Sequence, residues 1–552
     1  MKQIIGNIVD ITSREIFFGR VEVEAGEIRS IVKIAQEDHA PNVGYIIPGF
    51  VDSHIHIESS MLTPQRFGEM VIGRGTIATV SDPHEIANVM GERGIRFMLS
   101  SAELSPVKIH FTIPSSVPAT PFDSSGAVIS GRDVEQMAAS GHFVALSEMM
   151  DVPAVLNQAE EVVKKLSAAK RYGLPIDGHA PLLRGEELSK YVESGISTDH
   201  EEYTLDTARE KIAQGMSILI REGSAARNFE ALKPLIEESP DQVMFCFDDA
   251  HPDDILERGH IDSMVRRAIA EGYDLFDVLR IASLNPIRHY NLDVGALRVG
   301  DSADFIVVDD LSGFELREVY IDGELRWDHT TSFESDDMSV AESWPNKFNH
   351  DPIEPKDLEA PVSERIEVIG VIEGEIVTTL EHYTPSDPIA NLESDRERDI
   401  AKIVYINRYN NTSPQVAFCR GFGLKRGAFA STIAHDSHNI IAVGCSDHEL
   451  ASAINALIES RGALVVADSE RVELLPLPIA GIMSPCDSQT VAREYHRLQT
   501  LVKEIGCTLS SPFMTLAFMS LVVIPEVKIG EKGLFSFSKF NWISPNIVCY
   551  ED

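Results

Sequence analysis

Between residues 45 and 289, eight short apolar runs alternate with stretches long enough to form amphipathic helices. This alternation is typical of a parallel sheet whose successive strands are connected by helices. Eight such units in about 240 residues match a (β/α)8 TIM barrel, which usually takes about 250 residues. The sequence therefore predicts an α/β barrel. Its predicted strands are Tyr45–Val51, Ile77–Val80, Ile109–Thr112, Phe143–Leu146, Pro175–Asp177, Gly195–Thr198, Met216–Ile220 and Val243–Phe247.

The sequence patterns on both sides of this region are different. Residues 1–44 and 290–332 carry short alternating apolar stretches with turn residues between them, which predicts antiparallel strands. Residues 333–361 are rich in Asp, Glu, Ser and Pro and lack periodicity, which predicts a linker. Residues 362–552 mix strand-like and helix-like stretches, so we expect a C-terminal α+β domain there.

The charge balance excludes two classes of partner. The chain has 48 basic and 86 acidic residues, a net charge of −38, whereas nucleic acids and anionic membrane surfaces require a cationic face. No apolar run is long enough for a spanning helix. The six cysteines are scattered without a CxxC pair, which favours a reducing cytoplasm. The acidic excess serves either solubility or adaptation to a salt-rich cytoplasm.

Barrel enzymes carry their working groups at the C-terminal ends of the strands, so polar residues should follow the predicted strands. Nearly every predicted strand is followed by a group suited to metal binding or acid–base chemistry. These residues are His54, His56 and Glu58, then Asp82, His84 and Glu85, then Glu148, His179, His200, Arg221, Asp248 and Asp249.

The histidines among them predict a metal site. His54 and His56 are two residues apart, so on a strand they point to the same side. Imidazoles together with carboxylates suit Zn, Fe or Mn better than ions that select thiolates. Asp248 and Asp249 are both candidates at the eighth strand, and the end of the apolar run at Phe247 favours Asp248.

Several strings resemble a known superfamily. Residues 48–56, PGFVDSHIH, resemble the PGxxDxHxH opening of the amidohydrolases, and Gly295–Asp304 resembles their GxLxxGxxAD return segment. Longer strings are similar to the bacterial adenine deaminases within that superfamily, and the resemblance covers essentially the whole chain. These strings lie at residues 56–61, 82–91, 148–150, 221–228, 259–262, 434–439 and 475–481.

The resemblance implies a small β-sandwich domain built from both flanks, and it implies two divalent ions, Mn2+ or Fe2+ with Zn2+ as the alternative. Glu148 takes the position where many amidohydrolases carry a bridging carboxylated lysine, so it would bridge the ions. His54, His56 and Asp248 would bind one ion, and His179 and His200 the other. The implied reaction is hydrolytic deamination of adenine to hypoxanthine and ammonia in purine salvage. Hydroxide would attack C6, and Asp248 would move a proton.

Other residues have two interpretations. On the loop after strand two, Asp82, His84 and Glu85 are candidates for proton transfer, with Glu85 first, but Asp82 before Pro83 also fits a helix N-cap. Glu58 and Ser59 either line the substrate pocket or shape their loop. Arg221 either contacts the purine or pairs with Glu222. His435 and His438 either contact the barrel mouth or stabilise their own turn.

Two other functions stay open at this point. One is hydrolysis of cyclic amides, as in hydantoinase-like amidohydrolases, although these usually carry the strand-four lysine that Glu148 replaces. The other is metal binding without catalysis, against which the complete ligand set argues. We expect a cytoplasmic homo-oligomer, such as a dimer, acting on a small molecule.

Overall fold

A computed structural model describes residues 2–34, 43–224, 226–333, 344–362, 365–385 and 389–543. Residues 334–343 of the predicted linker, Ala225 and Cys549 lie outside this part of the chain. None of the described helices combines the length and apolar character needed to cross a membrane.

The described residues form strands and helices throughout the chain. The strands are β1 (Lys2–Asp10), β2 (Glu15–Glu24), β3 (Glu27–Lys33), β4 (Tyr45–Ile47), β5 (Phe50–Ile55), β6 (Thr76–Ser81), β7 (Lys108–Ile113), β8 (Phe143–Met149), β9 (Ile176–Gly178), β10 (Thr198–Asp199), β11 (Ser217–Arg221), β12 (Val243–Cys246), β13 (Phe305–Val308), β14 (Leu316–Ile321), β15 (Glu324–Asp328), β16 (Ile366–Val371), β17 (Thr378–Tyr383), β18 (Ser394–Asp395), β19 (Ile400–Ile406), β20 (Gln415–Arg420), β21 (Ala428–Ser431), β22 (Ile440–Gly444), β23 (Ala463–Ala467), β24 (Val472–Pro476), β25 (Val527–Gly530), β26 (Gly533–Ser536) and β27 (Asn541–Ile543). The helices are α1 (Pro64–Val71), α2 (His84–Met90), α3 (Glu92–Ala102), α4 (Gly131–Ser140), α5 (Val152–Leu156), α6 (Glu160–Tyr172), α7 (Gly185–Glu193), α8 (Leu205–Ala213), α9 (Phe229–Leu232), α10 (Leu235–Glu238), α11 (Pro252–Arg258), α12 (Ile261–Ala270), α13 (Leu275–Leu279), α14 (Asn285–His289), α15 (Asp447–Ser460), α16 (Ser488–Glu504) and α17 (Pro512–Ala517).

Eight parallel strands, β5 to β12, form the predicted barrel. Strands β5 to β9 pair in sequence order, and β10 to β12 do the same. The two groups are joined where Ser197 N donates to Ile176 O at 2.9 Å, and the circle closes where Asp248 N donates to His54 O at 2.9 Å. Because the strands are parallel, all their C-terminal ends meet at one mouth. The predicted fold class is confirmed.

The flanks of the barrel region share one seven-stranded sheet, in the order β15-β14-β13-β4-β1-β2-β3. The predicted strand Tyr45–Val51 is wrong as a single element, because Pro48 and Gly49 divide it. β4 pairs with β1 and β13 in this sheet, whereas β5 begins the barrel at Phe50. A Cβ atom on Gly49 would lie 2.5 Å from the Ile77 side chain, so only glycine fits at this crossing.

The sixth predicted strand, Gly195–Thr198, is also displaced along the chain. The strand β10 contains only Thr198 and Asp199. Gly195 has a φ of +93° and forms the turn after α7, so the first three residues of the predicted strand belong to the connection. The apolar run therefore located the strand but placed its start too early.

The C-terminal region contains a nine-stranded sheet in the order β17-β16-β20-β19-β22-β21-β23-β24, with β18 paired to β19, and a separate β25-β26-β27 sheet. Part of the predicted linker is packed here, because Phe348, Ile353 and Leu358 are buried in the core beneath α15. This segment is polar on average but carries enough apolar side chains to join that core. The predicted domain bounds stay predictions.

The C-terminal region packs over the mouth of the barrel. Phe122, in the loop after β7, lies against Phe535 and Phe540 with ring centroids 5.0 and 5.4 Å apart. Near the loop after β5, Ser484 N donates to Met61 O at 2.8 Å. Loops that follow barrel strands thus carry this contact, which brings C-terminal side chains to the barrel mouth.

Candidate metal centre and substrate cavity

The six predicted metal ligands converge at the C-terminal ends of the barrel strands. His54 lies in β5 and Glu148 in β8, and the other four residues come within two residues of the ends of β5, β9, β10 and β12. All six side chains are buried within one cluster. These residues are His54, His56, Glu148, His179, His200 and Asp248.

Glu148 lies between two pairs of histidines. Its Oε1 atom is 3.2 Å from His56 Nε2 and 3.8 Å from His54 Nε2. Its Oε2 atom is 2.6 Å from His179 Nδ1 and 3.4 Å from His200 Nε2. Each oxygen of one carboxylate therefore faces a different histidine pair, which is the arrangement that a bridging ligand requires.

The geometry favours Asp248 over Asp249 as the ligand from the eighth strand. Asp248 Oδ1 lies 3.1 Å from His56 Nε2 and 3.6 Å from His54 Nε2. Its other oxygen is paired with the guanidinium of Arg221. The Asp249 carboxylate instead accepts a hydrogen bond from Ser59 Oγ at 2.5 Å.

The chemistry of the cluster fits divalent ions. The Nε2 atoms of His54 and His56 are 3.2 Å apart, and ligand atoms from these histidines and the carboxylates lie within 4.8 Å of one another in groups of three and four. Nitrogen and carboxylate oxygen donors of this kind suit Zn, Fe or Mn. The outer nitrogen of His56, Nδ1, lies 3.1 Å from the Asp82 carbonyl oxygen, the kind of contact that orients a metal-binding imidazole.

The surrounding charges keep the two central carboxylates ionised. Burial raises the pKa of Glu148, but hydrogen bonds from His179 and His200 outweigh it and hold that pKa well below its usual range. Burial likewise raises the pKa of Asp248, and the Arg221 charge together with His54 and His56 lowers it well below its usual range. Both groups are thus available as anionic ligands at neutral pH.

A cavity opens beside this cluster, with one polar side and one apolar side. The polar side carries residues from the strand ends together with one residue of the C-terminal region. These are His56, His84, Glu85, Glu148, His179, His200, Glu201, Arg221, Asp248, Asp249 and Asp436. The apolar side comes mainly from the C-terminal region and consists of Met150, Ile376, Phe518, Leu521 and Ile524. Such a lining suits a small ligand that has both polar and apolar edges.

The loop after β6 places His84 next to the metal cluster. Its Nδ1 atom lies 2.8 Å from Asp82 Oδ2 and 3.6 Å from Glu148 Oε1. Asp82 Oδ1 also accepts from the His84 backbone N–H at 3.1 Å, next to the start of α2. Asp82 is not the N-cap of α2, because Pro83 occupies that position and no described side chain caps it. The Asp82 carboxylate orients His84 instead, and its part in proton transfer stays a prediction.

Glu85 is held by two histidines of the C-terminal region. Its Oε1 atom is 2.7 Å from His435 Nδ1, and its Oε2 atom contacts His438 Nε2. Burial raises the pKa of Glu85, and the two histidines outweigh it and hold that pKa well below its usual range. The histidine pair at 435 and 438 therefore contacts the barrel mouth, the first of its two predicted interpretations.

Three predicted substrate-binding residues have other partners. Glu58 does not line the cavity; its Oε1 atom accepts from the Ile86 N–H at 3.2 Å. Ser59 does not line it either, and its hydroxyl holds Asp249. Arg221 does line the cavity, but it pairs with Glu201 and Asp248 rather than with Glu222. Glu58 and Ser59 lie near the site because they follow β5 closely in the sequence. Their side chains are nevertheless not exposed to the cavity.

Sequence reasoning missed several residues that line the cavity. Glu201 directly follows His200, so the same strand-end rule could have included it. Asp436 and Phe518 lie in a region with no predicted barrel, and only the packing of that region over the mouth brings them to the site. Burial raises the pKa of Asp436 to about 7.

Two protein families match this chain. Residues 45–326 match the Amidohydrolase family, and residues 375–541 match the Adenine deaminase C-terminal domain. The first match contains the whole barrel with the six predicted metal ligands. The second contains the histidine pair that holds Glu85 and most of the apolar side of the cavity.

Curated relatives match over nearly their full length. "Adenine deaminase" of Methanosarcina mazei is 47% identical, with 98% of this chain and 99% of the relative covered. "Adenine deaminase" of a Sulfurovum species is 49% identical, with 97% and 98% covered. "Adenine deaminase" of Salinibacter ruber is 45% identical, with 98% of each chain covered.

Proposed function

The chain belongs to the adenine deaminase family of the amidohydrolases, and on that premise we propose that it hydrolyses adenine to hypoxanthine and ammonia. One observation carries the proposal beyond family membership: Glu148 directs one carboxylate oxygen to each of two histidine pairs. This cluster forms the floor of a cavity that has both polar and apolar sides. Hydantoinase-like chemistry has no such support, because the usual bridging lysine is replaced by Glu148.

We assign two divalent ions to the cluster, Mn2+ or Fe2+ with Zn2+ as the alternative. His54, His56 and Asp248 would hold one ion, His179 and His200 the other, and Glu148 both. Such ions supply Lewis acidity that lowers the pKa of water from about 15.7 to about 7. The metal-binding oxygens of Asp248 and Glu148 are kept anionic by Arg221 and the histidines, so the protein retains the negative charge that the ions require.

The residues around the cluster are proposed to transfer protons during the reaction. Replacing the amine at C6 with oxygen requires a proton on the adjacent ring nitrogen and another on the leaving amine, and a positioned side chain supplies each of them. Asp248 lies beside the histidine pair and is proposed to take the proton of the attacking water. His84, oriented by Asp82, is proposed to deliver a proton to the base.

Glu85 is the first candidate for proton transfer in the sequence, and this role remains a prediction. Both of its oxygens already accept hydrogen bonds from His435 and His438, which favours a positioning role for its carboxylate. His84 Nε2 lies 3.5 Å from Glu85 Oε1, so Glu85 would fix the side of the imidazole that faces the cavity.

Free adenine is expected to be a far better substrate than adenosine. The buried side chains of Phe518, Leu521 and Ile524 close the apolar side of the cavity, so the closed cavity leaves little room for a ribose attached to the purine. We expect kcat/KM for adenosine to be lower by about 100-fold or more, since discrimination by an apolar pocket reaches this size.

Ammonia release from adenine, adenosine, guanine and cytosine by the metal-loaded protein measures this difference and tests the proposed function. Ring opening of hydantoin, which releases no ammonia, is followed in parallel through the carboxylic acid that it forms. Deamination of adenine well above the other bases supports it. Comparable values for adenine and adenosine would contradict the closed cavity, and hydrolysis of hydantoin in preference to adenine would contradict the assigned reaction. A dimeric, cytoplasmic enzyme remains our expectation for the assembled protein.

A further inference from the structure

Asp436 is a carboxylate that reaches the cavity from outside the barrel. It lies between His435 and His438 in the loop that follows β21 and is 4% exposed. It lines the same cavity as Glu148 and Asp248. His435 and His438 both form hydrogen bonds with Glu85, whereas Asp436 forms none with that carboxylate.

The Oδ2 atom of Asp436 is buried without a hydrogen-bond partner in the part of the chain that the structure describes. The nearest cationic groups are too far for a hydrogen bond. His84 Nε2 lies 3.9 Å from Oδ2, and His435 Nδ1 lies 4.0 Å from Oδ1. Leaving a buried carboxylate oxygen unpaired is costly, and native proteins rarely do so without a reason. An unpaired oxygen on a cavity wall points to a ligand as the missing partner.

The position of Asp436 suits one particular ligand. His84 separates it from the metal cluster, because the Nδ1 atom of the same imidazole lies 3.6 Å from Glu148 Oε1. A molecule whose reacting carbon lies at the cluster would therefore extend past His84 toward Asp436. A purine has this form, since its ring nitrogens lie around the edge of a flat bicycle whose C6 atom would face the cluster.

We propose that Asp436 is a substrate-contacting residue whose carboxyl group hydrogen-bonds one of the purine ring nitrogens that are not bonded to C6, namely N3, N7 or N9. The inference rests on the proposed function and adds a role for the C-terminal region, which would supply both a polar contact and the apolar side of the cavity. His435 and His438 would fix the loop through Glu85, so that Asp436 is presented at a constant place.

The test compares Asp436→Asn with the wild-type protein, both loaded with Mn2+. Hypoxanthine binding is measured by calorimetry, together with that of 3-deazahypoxanthine, 7-deazahypoxanthine and 9-methylhypoxanthine. We expect the variant to bind hypoxanthine about 10- to 100-fold more weakly, the range for losing a hydrogen bond to a charged group. One analogue lacks the contacted nitrogen or has it blocked, and it should bind the wild type and the variant with equal affinity. The analogue and the Asp436→Asn substitution remove the same hydrogen bond, so their effects are not additive.

Ser437→Ala is the matched control in the same loop. The Ser437 hydroxyl contacts Asn439 Nδ2 at 3.1 Å and does not line the cavity, so this variant should bind hypoxanthine as the wild type does. Melting temperature and metal content of both variants identify any loss of fold. If Asp436→Asn folds, keeps its metal and weakens all four ligands equally, the contact with a ring nitrogen is refuted, and undiminished hypoxanthine binding refutes it as well.

Calorimetry separates this inference from the proposed function because it does not depend on turnover. If the wild-type protein binds hypoxanthine but releases no ammonia from adenine, the proposed reaction is refuted. The analogue series still tests the Asp436 contact in that case. A wild type that deaminates adenine at the same kcat/KM as Asp436→Asn would overturn the inference and leave the reaction intact.

Discussion

Replacing Glu148 with glutamine is expected to lower adenine deamination by about 1,000-fold or more, since a metal site supplies several kcal/mol of transition-state stabilisation. The amide offers one neutral oxygen and one NH2 group where two histidine pairs now face two carboxylate oxygens. One pair would then meet a hydrogen-bond donor in place of an anion. Metal analysis of the purified variant should find fewer than two ions per chain.

Glu222→Gln is the matched control for this variant. Glu222 also follows a barrel strand, but its carboxylate lies near Arg267 and does not line the cavity. This control should keep both its activity and its metal. A Glu148→Gln protein that retains two ions and full activity would contradict the bridging assignment.

Replacing Asp248 with asparagine is expected to have the second-largest effect, a fall in kcat of about 1,000-fold, because it removes a proposed ligand and a proposed proton acceptor together. The same change removes the charge that pairs with Arg221 and leaves that guanidinium with Glu201 alone. Steady-state kinetics with adenine, together with metal content, measure the effect.

Asp249→Asn provides the comparison, because the two residues are neighbours and the sequence alone leaves both open as ligands. Asp249 is bound to Ser59 and does not contact the histidine pair. We therefore expect a loss of no more than about tenfold, the cost of about one net hydrogen bond. The reverse order, with Asp249→Asn inactive and Asp248→Asn active, would move the ligand assignment to Asp249.

The barrel and the convergence of its strand-end side chains could be predicted from the sequence because both depend on local rules. Apolar runs identify strands, and residues that follow parallel strands collect at one mouth. The spacing of His54 and His56 placed both on one side of β5, and their Nε2 atoms are indeed 3.2 Å apart. The bounds were less accurate where a run contained a break, as at Pro48 and Gly49, which divide β4 from β5.

The second half of the cavity could not be placed from the sequence. Glu85 and His435 are 350 residues apart in the chain and 2.7 Å apart in space. Their contact depends on the packing of the C-terminal region over the barrel mouth, which periodicity does not encode. The spacing of His435 and His438 identified a polar cluster, but only the structure shows that its partner is a carboxylate of the barrel.

Glu58 shows a limit of the strand-end rule. It follows β5 closely, which made it a candidate for lining the pocket as well as for shaping its loop, but its carboxylate turns to the backbone N–H of Ile86 in α2. The rule that working groups follow barrel strands predicts where a residue lies, at the barrel mouth, but not which way its side chain points. Here the carboxylate accepts from an N–H in the first turn of α2, one of the backbone donors that have no partner within the helix.

Metal titration of the stripped protein shows whether deamination needs two bound ions. The protein is freed of metal with a chelator and titrated with Mn2+ while ammonia release from adenine is followed. We expect no deamination without metal and a rise in the deamination rate that ends at two ions per chain, because Glu148 faces two histidine pairs. Deamination by the metal-free protein, or a plateau at one ion per chain, would contradict this expectation.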